Sequence, residues 1–212
     1  MSAITILGWG DTAEIADRIQ AGEVGLIPTD TVYGLAASPS DPNATARIFE
    51  LKKRPGARPL PLLLSDQAAL TALGVDVAPV AERLLRSPFM PGALTLALGF
   101  SEAPRVAWVE GRAEVAVRIP DERPLRDVLA RTGPICATSA NAHGEPTPEL
   151  PKDILPQLDG TPDFVVEDGP RPTVPSTLVN CAVTPPRIER VGAVSEADLA
   201  EYLATDPGED LS

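Results

Sequence analysis

A chain of 212 residues with a net charge of −12 is long enough for one domain around a single core. Its charge opposes unspecific contact with a polyphosphate such as tRNA, which depends on many Lys and Arg side chains releasing counterions. Aromatic residues make up only 4%, which argues against a base-stacking platform and leaves Ala, Val, Leu and Ile to build the core, at about 0.8 kcal/mol per buried methylene. The 24 prolines, about twice the ~5% norm, imply rigid turns and short elements. Cys136 and Cys181 sit in apolar, strand-like surroundings without CxxC spacing, and His143 is the sole histidine. Reduced, buried thiols are therefore expected, not a disulfide or metal site. No apolar run approaches the ~18 residues of a membrane span, and MSAITILGWG lacks the basic start of a signal peptide. A soluble cytoplasmic protein is the expectation.

In chain order, Asp11 followed by Glu14 reads as a capping box for a helix ending at Gly22, with Ile15, Ala16 and Ile19 at helical spacing. Residues 24–28 read as a buried strand, 29–35 as a loop, and 43–53 as a helix whose apolar side is Ala46, Ile48, Phe49 and Leu51, broken at Arg54-Pro55-Gly56. A strand over 60–64, a short helix capped by Asp66 and a helix over 77–86 follow. Strands are expected over 93–99, 114–119 and 135–138, with a helix over 124–131 between the last two. Short strands over 164–167, 176–180 and 187–191 precede a last helix capped by Ser195 and Asp198. The interleaving predicts an α/β or α+β fold: a single domain on one mixed, twisted sheet with flanking helices. The domain is expected over residues 1–204, with 205–212 an acidic, disordered tail.

Four clusters carry chemistry. Arg47, Lys52, Lys53, Arg54 and Arg58 face only Glu50 in an otherwise acidic chain. A solvated helix end would place cations there too, but Pro55, Gly56 and Pro59 stiffen the loop, and arginine's planar fork suits phosphate oxygens. Thr138-Ser139-Ala140-Asn141 follows an apolar strand, where open α/β sheets meet ligands, although Ser and Asn also bend ordinary turns. Residues 28–35, PTDTVYGL, form another strand end bearing hydroxyls. Arg118 lies inside the apolar stretch VAVRI and needs a partner, either a ligand carboxylate or an internal ion pair. Neither a Walker A pattern nor GxGxxG occurs, so nucleotide use would not come through those loops. His143, alone in a Gly-Glu-Pro loop, is expected to face solvent.

Taken in order, these stretches resemble the YrdC/Sua5/YciO family from about Gly22 to Val194. PTDTVYGL is followed by Lys-x-Arg-Pro at Lys52, Arg54 and Pro55, then PLPLLL (59–64), PGALTLAL (91–98), VAVRIPD (115–121), TSAN with GEPTP (138–148), PSTLVN (175–180) and RIERVGAV (187–194). The resemblance implies an open sheet with a deep basic cavity and L-threonylcarbamoyladenylate synthase activity, a nucleotidyltransferase reaction joining L-threonine, bicarbonate or CO₂ and ATP. It serves the N6-threonylcarbamoyladenosine modification of tRNAs reading ANN codons. On that basis Lys52 and Arg54 are catalytic, and Lys52, Arg54, Arg58, Asn141 and Arg190 bind ATP. Thr31, Arg118, Ser139 and Ser176 take threonine, with Arg118 on its carboxylate. Mg²⁺ is expected with the triphosphate and without a protein cage. The partner implied is a downstream tRNA threonylcarbamoyl transferase complex, with no membrane and weak or no direct tRNA binding.

Two positions depart from the pattern. Leu63 stands where some relatives carry a polar residue near threonine, and Glu149 where a hydroxyl residue can occur near the nucleotide. The chain resembles the short, YrdC-like form, without the extra C-terminal domain of the longer form. Two other readings compete: an RNA- or ribosome-binding paralogue, which the intact Lys-x-Arg and Ser-x-Asn elements oppose, and a carbamoyl-phosphate-using relative, which belongs to much larger chains.

Overall fold

The computed structural model describes residues 4–53, 59–102, 106–109, 111–142 and 145–204. Arg54, Arg58, His143 and the 205–212 tail lie outside the described residues.

The strands are β1 (Thr5–Leu7), β2 (Gly25–Ile27), β3 (Gly34–Ala37), β4 (Leu62–Leu63), β5 (Leu94–Gly99), β6 (Glu114–Arg118), β7 (Ile135–Ser139), β8 (Phe164–Val166), β9 (Thr177–Asn180) and β10 (Arg187–Arg190). They form one mixed ten-stranded sheet in the order β1-β8-β2-β3-β7-β4-β6-β5-β9-β10. β1–β8, β2–β8, β4–β6 and β5–β9 are parallel, and the other neighbouring pairs antiparallel. The period-two alternation of a strand splits the core into two layers. Ala36, Leu63 and Ala137 turn to one face and pack under α1 (Thr12–Gln20) and α5 (Arg123–Thr132). Leu35, Leu62 and Cys136 turn to the other and pack under α2 (Pro42–Leu51), α3 (Ala68–Leu73) and α4 (Pro79–Leu85), joined there by Leu199 of α7 (Glu196–Leu203). Burial on both faces explains why these strands read as near-continuous apolar runs.

The prolines have a structural reason. They occupy the first turn of α2, α4, α5 and α6 (Pro151–Ile154), where the missing N–H costs nothing and the fixed φ is already helical. Among the described residues no helix is long and apolar enough to cross a membrane. Both thiols are free and buried, as expected.

Three local expectations need correction, and one strand was not expected. Asp11 does not cap α1; its carboxylate instead accepts the Gly8 N–H at 2.9 Å, closing the 3₁₀ turn Trp9–Asp11 one step earlier. The loop expected over 29–35 ends sooner, because Gly34–Ala37 is a fully buried strand. Its Gly and Ala content is poor for a strand, yet β2 and β7 pair with it on both sides, and that backbone pairing outweighs propensity. The inward side of α2 is Ala44, Ile48 and Leu51, spaced by four and three; Ala46 is exposed. β1 escaped notice because only its parallel partner β8, more than 150 residues away in sequence, makes Thr5–Leu7 a strand.

Candidate active site

The site forms where the chain leaves β2, β7 and β6 and enters β9. After β2, Thr29 organises the turn. Its Oγ1 accepts the N–H groups of Thr31 at 3.1 Å and Val32 at 3.2 Å and donates to the Val32 carbonyl at 2.7 Å. This hydroxyl-capped turn sets Thr31 on the cavity wall. Gly34 follows as bare backbone: a Cβ there would stand 3.2 Å from the Thr138 carbonyl, tight enough to displace it. β7 supplies Ala137, Thr138 and Ser139; β6 ends in Arg118, Ser176 precedes β9, and Arg190 ends β10. Together they enclose about 560 Å³ of space, counting the open mouth.

Arg118 is only 6% exposed. Its Nε donates to the Gly92 carbonyl at 2.8 Å, one Nη to Thr31 Oγ1 at 2.7 Å and the other to Asp30 Oδ1 at 2.7 Å. Of the two partners left open by the sequence, the internal one is present. Asp30 is an internal partner, and the guanidinium still faces the cavity. Asp30 lies inside the PTDTVYGL motif but was given no role from sequence; its partner is 88 residues away, so no local spacing betrays it.

Arg190 braces the opposite wall. Its Nε and Nη2 donate to the Ser176 carbonyl at 3.1 and 2.9 Å, and Nη2 reaches Ser176 Oγ at 3.3 Å. Ser176 Oγ shares a hydrogen bond with Thr95 Oγ1 at 2.8 Å. Burial, then the like charge of Arg118, pulls Arg190 below the usual arginine range. Burial also lowers Arg118, opposed by the Asp30 carboxylate. Arginine does not deprotonate in proteins, so both groups stay charged. Among the described residues, Arg118 and Arg190 at this cavity are set against the one carboxylate of Asp30.

Lys52 and Asn141 stand together beside this wall, off its lining. The Lys52 ammonium, buried at 4% exposure, donates to the carbonyl of Ser139, to that of Asn141 at 2.7 Å, and to Asn141 Oδ1 at 3.4 Å. Asn141 Nδ2 donates to the carbonyls of Ala142 at 3.0 Å and Glu145 at 2.5 Å, while its Oδ1 accepts from Thr147 Oγ1 at 3.2 Å. Lys52 therefore fixes the turn leaving β7. Leu63 lines the cavity as an apolar contact. Glu149 is exposed and presents its carbonyl to the Arg171 N–H at 3.0 Å. Of the residues expected at the site, Thr31, Arg118, Ser139, Ser176 and Arg190 meet in one cavity, while Arg54 and Arg58 lie outside the described residues.

A mixed sheet with two core layers that gathers two arginines and several hydroxyls at one cavity defines an α/β protein whose site has the chemistry to hold a small anion with hydrogen-bonding groups. The family model described as telomere recombination, named for Sua5, YciO and YrdC, matches residues 17–192, and the chain belongs to that family. It is 36% identical over 197 residues to a threonylcarbamoyl-AMP synthase of Bacillus subtilis (strain 168), a match covering 90% of this chain and 56% of the relative. The crystal structure of P. abyssi Sua5 complexed with L-threonine matches with a TM-score of 0.83 at 30% identity, covering 95% of this chain and 61% of that one. E. coli YciO matches with a TM-score of 0.79 over 92% of this chain and 98% of that one, at 24% identity, a likeness of fold alone. The chain thus spans little more than half the length of the Bacillus relative.

Proposed function

We propose that this protein is an L-threonylcarbamoyladenylate synthase, making threonylcarbamoyl-AMP and pyrophosphate from L-threonine, bicarbonate and ATP for tRNA modification. The observation that carries the reading is Arg118 and Arg190 facing one hydroxyl-lined cavity, in a chain 36% identical to a threonylcarbamoyl-AMP synthase. The free Nη hydrogens of Arg118 take the threonine carboxylate, and the hydroxyls of Thr31, Ser139 and Ser176 take its remaining polar groups. ATP lies toward the Lys52–Asn141 corner, with Arg190 toward its phosphates; Arg54 and Arg58 are assigned to the phosphates on the family resemblance alone.

The amine of threonine captures CO₂ derived from bicarbonate, which loses water in the process. The carbamate oxygen then bonds to the α-phosphorus, the bond to the β-phosphate oxygen breaks, and pyrophosphate leaves. Two anions must approach each other, so the protein's part is to orient them and offset their charge, without a covalent intermediate. Among the described residues no cluster of three or more His, Cys, Asp or Glu gathers as a metal cage. We assign Mg²⁺ to the phosphate oxygens, where it would neutralise charge on the triphosphate.

Pyrophosphate release, with mass analysis of the adenylate, tests the reading. Release is expected only when ATP, Mg²⁺, bicarbonate and L-threonine are all present; equal release without threonine would overturn it. The product's carboxyl-phosphoryl anhydride is unstable toward water, so a transferase acting on tRNA is the natural consumer.

A further inference from the structure

The connection from β8 to β9 has an unusual task. Six strands separate β8 from β9 in the sheet, which at about 4.8 Å per step is roughly 34 Å along a flat sheet. Joining Val166 to Thr177 through the ten residues 167–176 takes eleven Cα steps, about 36–40 Å when extended, so this segment has limited slack and takes a direct route across the sheet.

Its contacts follow that route. Near its start, Tyr33 Oη, beyond the Thr29 turn, donates to the Gly169 carbonyl at 2.8 Å and accepts from the Asp168 N–H at 3.3 Å. Midway, the Arg171 N–H reaches the Glu149 carbonyl at 3.0 Å, in the segment after β7. The Arg171 guanidinium reaches Glu122 Oε2 at 3.1 Å, in the turn after β6, and also holds Asp168 of its own segment. At the far end the Ala193 N–H donates to the Pro175 carbonyl at 2.9 Å, and Pro175 and Ser176 form cavity wall. Residues 167–170 and 172–174 are exposed, whereas the Arg171 and Glu122 side chains are only 18% and 17% exposed.

We propose that residues 167–176 form a strap across the cavity, and that Arg171 is its clamp, a positioning residue that fixes the amino-acid half of the site. The clamp acts through neighbours: Tyr33 follows Thr31 and Val32, Glu122 lies four residues beyond Arg118, and Pro175 precedes Ser176. Thr31, Val32, Arg118, Pro175 and Ser176 line the cavity; Tyr33 and Glu122 stand behind it. A loosened strap lets the Ser176 hydroxyl drift from Thr95 Oγ1, while Arg190, carried by β10, and the Lys52–Asn141 corner keep their places. This inference rests on the threonine reading above.

The test is steady-state pyrophosphate release by the full chain, with threonine and ATP varied in turn. Arg171→Ala is expected to raise the threonine KM about tenfold, with less than about twofold change in the ATP KM. Glu122→Gln should act in the same direction. The double variant should be no worse than Arg171→Ala, because the two side chains act as one unit, and Arg171→Lys should restore part of the loss. Equal rises in both KM values, additive effects, or an unchanged threonine KM in folded variants would overturn the clamp. Hydrogen exchange tests the strap without substrate: Arg171→Ala should speed exchange over 167–176 and leave α2 unchanged, and unaltered strap exchange would overturn it. If wild-type protein releases no pyrophosphate with threonine, the assigned reaction and the clamp's role in it both fall; the exchange result still judges the strap.

Discussion

Arg118 and Asp30 show what a single side chain contributes here. An arginine within an apolar strand was recognisable as a residue in need of an anion, but its internal partner was not, since Asp30 shares its motif with hydroxyl residues and meets Arg118 only in the folded chain. Arg118→Ala should weaken threonine binding by roughly 2–4 kcal/mol, the loss for a charge-assisted pair in a desolvated site, with ATP affinity little changed by calorimetric titration. Asp30→Asn should be milder in binding yet still cost about 1–3 kcal/mol of stability in urea unfolding, because the amide keeps an acceptor for Arg118 but not the charge. An unaltered unfolding midpoint would show that Asp30 is dispensable to the wall. The thiols offer a prediction of reactivity. Burial pushes both Cys136 and Cys181 up to about 12. At pH 8 only about one in ten thousand is then thiolate, and the thiolate is the reactive form. Iodoacetamide should leave both unlabelled at pH 8 in the native protein and label both in denaturant; rapid native labelling would contradict this burial.

At the scale of elements, the caps read at Ser195 and Asp66 do bond to their own helices, whereas Asp41, which accepts the Asn43 and Ala44 N–H groups at 2.8 and 3.2 Å at the start of α2, was not read from the sequence. Ser195 accepts the Asp198 N–H at 3.2 Å, and the Asp198 carboxylate accepts the Ser195 N–H at 3.2 Å, the reciprocal pattern a sequence can announce. Asp66 likewise accepts the Ala69 N–H at 3.2 Å at the start of α3. Asp11 misled because its carboxylate turned back to Gly8, a choice made by the turn that precedes α1. Ser195→Ala should lower stability by about 1 kcal/mol, read as a fall of a few degrees in melting temperature. No change would mean that Leu199, buried against the core, holds α7 without its cap. The short strands were visible by their apolar runs, but β3 and β1 needed partners that no local pattern contains. Likewise, motif order located the cavity wall, whereas the route of residues 167–176 depends on a sheet order that sequence does not express.

For the whole molecule, charge governs encounters. With −12 overall, unspecific tRNA binding should be near background in a filter assay at about 100 mM salt; tight, salt-sensitive retention would instead favour an RNA-binding role. The sheet order carries a mechanical implication as well. β4, at the centre of ten strands, contributes only Leu62 and Leu63. On one side of it lie the strands flanked by the Thr29 turn and Ser139; on the other lie those carrying Arg118, Ser176 and Arg190. The sheet therefore has a narrow seam, and the cavity straddles it. A substrate gripped by both walls acts as a splint across that seam, so saturating threonine with a non-reactive ATP analogue should raise the force needed to pull the two halves apart.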